Sequence, residues 1–180
     1  MTVKITYFVH GTTTDNEKDL ASGWADPKLS PLGINQAKEL GKLVAAKKFA
    51  AVFCSDLQRA IDSANLAFGQ NYTVMVDKRL REINYGDWNQ KPHDFKNNLT
   101  DYINKPFANG ESYLAVQNRI ADFLKFLNTK YFGQNVAIVA HQAPQLALEV
   151  LLNKKTWEQA IATGWRNKNA WQPGWKYILE

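Results

Sequence analysis

The sequence predicts an α/β fold, a three-layer αβα sandwich around a mostly parallel sheet. Three observations carry that prediction. Short β-branched, apolar segments alternate with longer segments of helical period. One of them, Asn135–Ala140 (NVAIVA), is apolar almost throughout, as a strand covered on both faces must be. Helix starts and stops such as Ser30-Pro31, Gly69 and Gly133 fall at the junctions between segments.

In chain order, Val3–Val9 (VKITYFV) reads as a buried first strand ending at His10-Gly11, followed by a polar loop over 12–28. Ser30 is a helix N-cap and Pro31 sits at the first helical position, where no N–H is needed. Ala37, Leu40 and Val44 then share one face of a helix running to about Lys48. Ala50–Cys54 is a second strand, Ser55-Asp56 opens a helix carrying Leu57, Ile61, Ala64 and Phe68, and Gly69 stops it. Tyr72–Val76 is a third strand.

Residues 77–110 have no sustained period and read as an excursion covering the site, since long irregular insertions in compact domains are mostly functional. Glu111–Tyr131 is the longest helix, with a stripe of Leu114, Val116, Ile120, Phe123, Leu124 and Leu127. Asn135–Ala140 is the central strand and Pro144 starts a helix to about Leu152. A helix near Trp157–Thr163 and a strand near Trp175–Leu179 follow. Trp157, Trp165, Trp171 and Trp175 are expected to pack this tail onto the body, a ligand-stacking wall being the other reading.

The length of 180 residues suits one domain, 1–180. The chain is 45% hydrophobic and 22% charged, too apolar for disorder. Its formal net charge of +5 is mild, and its basic residues lack the aromatic interleaving of a nucleic-acid groove, so no nucleic-acid partner is expected. No apolar run approaches a membrane span and Met1–Ile5 lacks a signal-peptide pattern, so the expectation is a cytoplasmic protein without a membrane partner. Cys54 is the only cysteine, which excludes an intrachain disulfide and a cysteine metal cluster. No set of residues offers a plausible three-ligand metal site.

In open parallel sheets, ligands bind beyond the carboxyl ends of the strands. His10 follows the first strand, His141 follows the central one, and Ser55–Arg59 follows the second. An imidazole can act as nucleophile, as acid–base, or as donor to developing charge. Two of them beside an arginine at a helix N-terminus make an anion site, with phosphate the foremost candidate. A carboxylic acid is then needed to protonate a leaving alkoxide, and Glu82 is the candidate, a surface ion pair being its other reading. His93, in the polar excursion, reads as an ordinary surface or satisfied core histidine rather than a functional one.

Four segments carry a resemblance to a known family. They are Val9-His10-Gly11-Thr12-Thr13 with Asn16, Cys54-Ser55-Asp56-Leu57-Gln58-Arg59-Ala60, Leu80–Trp88 around Glu82, and Val139-Ala140-His141-Gln142. Leu29-Ser30-Pro31-Leu32-Gly33 with Gln36-Ala37, and Gly110-Glu111-Ser112 with Arg119, add to them. In joint order and spacing, the chain resembles the histidine phosphatase superfamily, the phosphoglycerate mutase-like proteins, along almost its full length. The resemblance implies two-step phosphoryl transfer without metal or cofactor. His10 would be the nucleophile, Glu82 the proton donor, and Arg59 and His141 the holders of the phosphoryl oxygens. Gly11, Thr12, Thr13, Asn16 and Gln142 would contact substrate, with loop capping an equal reading for Thr13 and Asn16.

The sequence departs from the family's pattern at three places. Val9 stands where the family has arginine, Thr12 where it has an acid, and Gln142 where it has glycine. Losing one transition-state donor typically costs on the order of 10²–10³ in rate. Arg81 and Lys28 are the candidates to compensate. The expected function is a phosphatase acting on a small phosphorylated compound. A weak or inactive module binding phosphate or phosphopeptide is the first alternative and a mutase the second. The partner is a small phosphorylated substrate or inorganic phosphate, and the chain is a monomer or a dimer.

Overall fold

The computed structural model describes residues 2–166 and 174–180. Strands β1 (Val3–Val9), β3 (Ala51–Cys54), β4 (Val74–Val76), β6 (Asn135–Ala140) and β7 (Trp175–Leu179) form one sheet in the order β4-β3-β6-β1-β7. All neighbours pair in parallel except β7, which runs antiparallel to β1.

The pleat divides the strand residues between two cores. Val3, Ile5 and Tyr7 of β1, Phe53 of β3, and Val136, Ile138 and Ala140 of β6 face one side. There they meet α3 (Tyr113–Lys130), α4 (Gln142–Leu151) and α5 (Trp157–Ala162). Phe8, Val52, Cys54, Ala137 and Val139 face the other, against α1 (Pro31–Val44) and α2 (Gln58–Phe68). The three layers of the predicted sandwich follow from this alternation. Among the described residues no helix is long and apolar enough to cross a membrane.

Several boundaries differ from the sequence reading. Helix α1 ends at Val44, its last buried residue, because Ala45–Lys48 has no apolar partner to extend the face. Helix α2 starts at Gln58, where Asp26 of the polar loop caps it from a distance: Gln58 N donates to the carboxylate at 2.7 Å. Helix α4 starts at Gln142, two residues before Pro144, which occupies its first turn. Tyr72 is not in the third strand, since its N–H returns to Phe68 O at 3.0 Å.

The excursion contains 3₁₀ turns at Lys78–Leu80, Gly86–Trp88 and Asp94–Tyr102. It also contributes a two-residue strand, β5 (Lys91–Pro92), that pairs antiparallel with β2 (Leu20–Ala21). This small second sheet ties the excursion to the loop after β1. In the tail, Trp157 is buried against Tyr113 and donates Nε1–H to Gln117 Oε1 at 2.6 Å. Trp165 and Trp175 lie 6.0 Å apart, and Trp171 falls outside the described residues.

Candidate active site

Strands β1 and β6 are neighbours, with Val9 opposite Ala140. The next residue of each is a histidine, so parallel register alone brings His10 and His141 side by side, their ring centroids 5.0 Å apart. His10 N donates to Ala140 O at 3.0 Å and extends the ladder one residue. Tyr7 fixes the other partner: its hydroxyl donates to His141 O at 2.7 Å and accepts from His141 N at 3.0 Å. Both ring nitrogens of His141 are buried and have no hydrogen-bond partner among the described residues.

The tautomer of His10 follows from its partners. Nδ1 lies 2.7 Å from Gly11 O, which can only accept, so Nδ1 carries the hydrogen. Nε2 accepts from Arg59 Nε at 3.3 Å and is therefore the bare nitrogen. Arg59, the second residue of α2, is 1% exposed. It also donates through Nη1 to Ala25 O at 2.7 Å and through Nη2 to Gly23 O at 2.8 Å. A guanidinium has five N–H groups, so three are spent on the resting protein and two remain for an oxyanion.

Glu82 is 9% exposed and does not form the surface ion pair of its alternative reading. Its Oε1 accepts from Ile83 N at 3.0 Å and Ala143 N at 2.9 Å, and its Oε2 from Gln142 N at 3.2 Å. The carboxyl thus sits at the N-terminus of α4, where the helix dipole favours an acidic group. Its backbone is clamped from two sides. Arg119 donates to the carbonyls of Arg79, Arg81 and Glu82, and is itself paired with Glu111 at 3.1 Å. Trp24 Nε1 donates to Glu82 O at 2.8 Å.

The proposed contact residues separate by placement. Thr13 and Asn16 cap each other: Thr13 N donates to Asn16 Oδ1 at 3.0 Å and Asn16 N to Thr13 Oγ1 at 3.2 Å. Asn16 nonetheless lines the cavity beside His10, whereas Thr13 is fully buried. Thr12 reaches the rim and is held by Gln36 Oε1 at 2.8 and 2.9 Å. Gly11 faces Gly33, whose carbonyl oxygen would lie 2.3 Å from any Cβ at that position, so its role here is close backbone approach.

Gln142 lines a large cavity of about 760 Å³, together with Tyr85, His93, Phe95, Tyr113 and Trp165. It also lines the small cavity at His10, Arg59 and Glu82. His93 is a half-buried wall residue of both cavities, with Nδ1 3.4 Å from Asp19 Oδ1. The β2–β5 pairing carries it there, and no local sequence signal announces that pairing.

Neither candidate for replacing the absent arginine serves. Arg81 is committed to Asp56 at 2.7 Å and stacks over Trp24, and Lys28 is exposed and lines none of these cavities. Cys54 is buried, and burial pushes its thiol up to about 12, so it is no nucleophile.

Burial, then the nearby Arg59 charge, holds His10 down at about 3, and the same causes keep His141 well below the ordinary histidine range. Both rings are neutral at pH 7. The unfolded chain takes up these protons near pH 6.5 and the folded one does not, so stability falls as pH drops from about 6.5 toward about 3. Urea melts should show it: between pH 7 and pH 5 wild type should lose about 2 kcal/mol more than His10→Gln, the share of this one histidine. Equal losses in the two proteins would contradict a neutral His10 in the folded protein.

Comparison with known proteins adds to this geometry. The sequence profile of the histidine phosphatase superfamily (branch 1) matches residues 7–170. Adenosylcobalamin/alpha-ribazole phosphatase of Salmonella typhimurium is 34% identical over 143 residues, 74% of this chain and 71% of that protein. Phosphoserine phosphatase 1 of Hydrogenobacter thermophilus is 28% identical over 156 residues, 81% of this chain and 74% of that one. Among solved structures, the mycobacterial glucosyl-3-phosphoglycerate phosphatase superposes with a TM-score of 0.82 at 26% identity, covering 91% of this chain and 85% of its own. With a profile match over most of its length and phosphatases of the same fold beside it, the chain belongs to the histidine phosphatase superfamily.

Proposed function

We propose that this phosphatase cleaves a small organic phosphate monoester through a phosphohistidine on His10. The observation that carries the reading is the bare Nε2 of His10, locked by its Nδ1–H bond to Gly11 O and set beside Arg59 and Glu82. Nε2 attacks phosphorus, the N–P bond forms, and the bond to the leaving oxygen breaks. Glu82 gives that oxygen a proton; Oε2, with a single bond of 3.2 Å, is the oxygen with room to carry it. Water then attacks phosphorus, Glu82 takes its proton, and the N–P bond breaks to free His10 and phosphate. As charge gathers on the phosphoryl oxygens, the two unused N–H groups of Arg59 and a ring N–H of His141 bind them.

The excursion covers this centre with Tyr85, His93 and Phe95. A cavity of about 760 Å³ with several aromatic walls suits a leaving group well beyond a few atoms. The reading includes one domain over 1–180 and no metal; among the described residues, no three His, Cys, Asp or Glu side chains gather as a metal would need.

Acid-quench-free trapping tests the proposal. Wild type mixed with ³²P-labelled phosphate ester and quenched in base should carry acid-labile label on His10. In Glu82→Gln, a phenolic ester, whose leaving group needs no proton, should still label the protein, while an alkyl ester should not. Turnover without label would exclude the covalent route. Phosphate binding with no turnover on a panel of esters would mark a binding module, and exchange of phosphate between positions of one substrate a mutase.

A further inference from the structure

We propose that Arg166, from the loop after α5, is the second cation of the phosphate site and contacts the phosphoryl group directly. The inference rests on the reading of His10 as the phosphoryl-transfer centre.

The charge inventory calls for such a group. A phosphate dianion brings two negative charges to a site that already holds the Glu82 carboxyl. Both histidines are neutral, so among the described residues Arg59 is the cation hydrogen-bonded to His10. Asp26, 3.6 Å from Arg59 Nη1, already draws on its charge, and three of its five N–H groups are spent.

Arg166 lines the cavity of about 50 Å³ whose other walls include His10, Asn16, Arg59 and Glu82. A space that small holds a few waters or one phosphoryl-sized anion, so its occupant sits close to the wall that Arg166 helps to form. Arg166 also lines the adjoining cleft of about 250 Å³ with Val9, His10 and His141. The apolar end of β1 and this guanidinium therefore face one space, and the charge that position 9 does not supply arrives from the far end of the chain.

Among the described residues no acidic group claims that charge. Arg166 forms no ion pair among the described residues, and residues 167–173 contain no Asp or Glu. Its guanidinium lies over the Trp165 ring, 4.7 Å from the centroid, and this contact holds the side chain at the rim. A guanidinium presents two parallel N–H groups to phosphate, which an ammonium cannot copy.

The test reads phosphate affinity and turnover separately. Isothermal titration of inorganic phosphate should show Kd at least roughly ten-fold weaker in Arg166→Ala, with Arg166→Lys between the two, and kcat/KM on a phenyl phosphate ester should fall about 10²–10³-fold. Arg166 is exposed, so the melting temperature should stay put. Adding Val9→Arg to Arg166→Ala should recover phosphate affinity, because the new side chain enters the same cleft; if that double variant fails to fold, the Ala and Lys single variants decide. Unchanged phosphate Kd in Arg166→Ala, or no phosphate binding by wild type, would overturn the assignment. Wild type that binds phosphate through Arg166 but turns over no ester would leave it standing and sink the phosphatase reading alone.

Discussion

His10→Gln should abolish phosphatase turnover, by on the order of 10⁴–10⁶-fold, while leaving a folded protein that still binds phosphate. The size of the effect follows from what the ring alone supplies. Nε2 is a bare, uncharged nitrogen that the fold holds in place, with Nδ1–H fixed on Gly11 O and Arg59 Nε–H resting on Nε2 until a phosphoryl oxygen takes that bond over. A glutamine amide offers Arg59 an acceptor and so keeps the neighbouring hydrogen bonds, but its nitrogen has no nucleophilic lone pair. The measurement is kcat on a phenyl phosphate ester with phosphate affinity and melting temperature recorded alongside. Residual turnover above about one percent, with the fold intact, would mean that His10 is not the nucleophile. Loss of phosphate binding together with turnover would assign it to holding the anion.

How far the site was legible in the sequence depends on the range of the interaction that built each part. His10 and His141 were legible because strand ends are local signals and parallel register does the rest. Val9 opposite Ala140 leaves the next residues no other place. Arg59 was legible as a residue of the first turn after a strand, though its true cap, Asp26, lies 33 residues away and left no trace in the local pattern. The three-layer fold was legible for the same reason, since alternation along β1, β3 and β6 sorts their residues into two cores.

What was not legible came from pairings between irregular segments. The β2–β5 contact is two residues long on each side, too short for any period to show, yet it carries the excursion and His93 to the cavity wall. Tyr7 reads as one more apolar strand residue, and only the approach of β6 turns its hydroxyl into a two-way clamp on the His141 backbone. Arg119 was visible within a family-like element. Its task, holding the carbonyls of Arg79, Arg81 and Glu82 and so presenting Glu82, is a matter of tertiary geometry. Arg81 is a candidate to compensate for Val9 by its charge alone, and it does not reach the site because Asp56 and Trp24 take its guanidinium.

Arg59→Ala should cost both activity and stability, and the two losses have separate causes. On the stability side, a side chain that is 1% exposed disappears from between α2 and the loop at residues 23–26. The carbonyl of Gly23, itself buried, loses its donor, and Asp26 loses the cation 3.6 Å away. Leaving a buried carbonyl without its donor typically costs about 1–3 kcal/mol, to which the exposed Asp26 adds little, and for a chain of this size that is a fall of roughly 3–8 °C in Tm. On the activity side, the two N–H groups free for the phosphoryl oxygens vanish, and His10 Nε2 loses the contact that aims it. The two causes separate in Arg59→Lys. An ammonium keeps the positive charge in the cavity but cannot reach Gly23 O, Ala25 O and His10 at once, because those three bonds leave a guanidinium in three directions. Arg59→Lys should therefore recover part of the lost Tm and part of the phosphate affinity, yet remain at least about 10²-fold below wild type in kcat. If Arg59→Lys turns over ester at the wild-type rate, charge alone suffices and the fork geometry is irrelevant to the reaction. If Arg59→Ala melts within about 2 °C of wild type, the loop carbonyls find other donors and the arginine is not what joins the loop to the nucleophile.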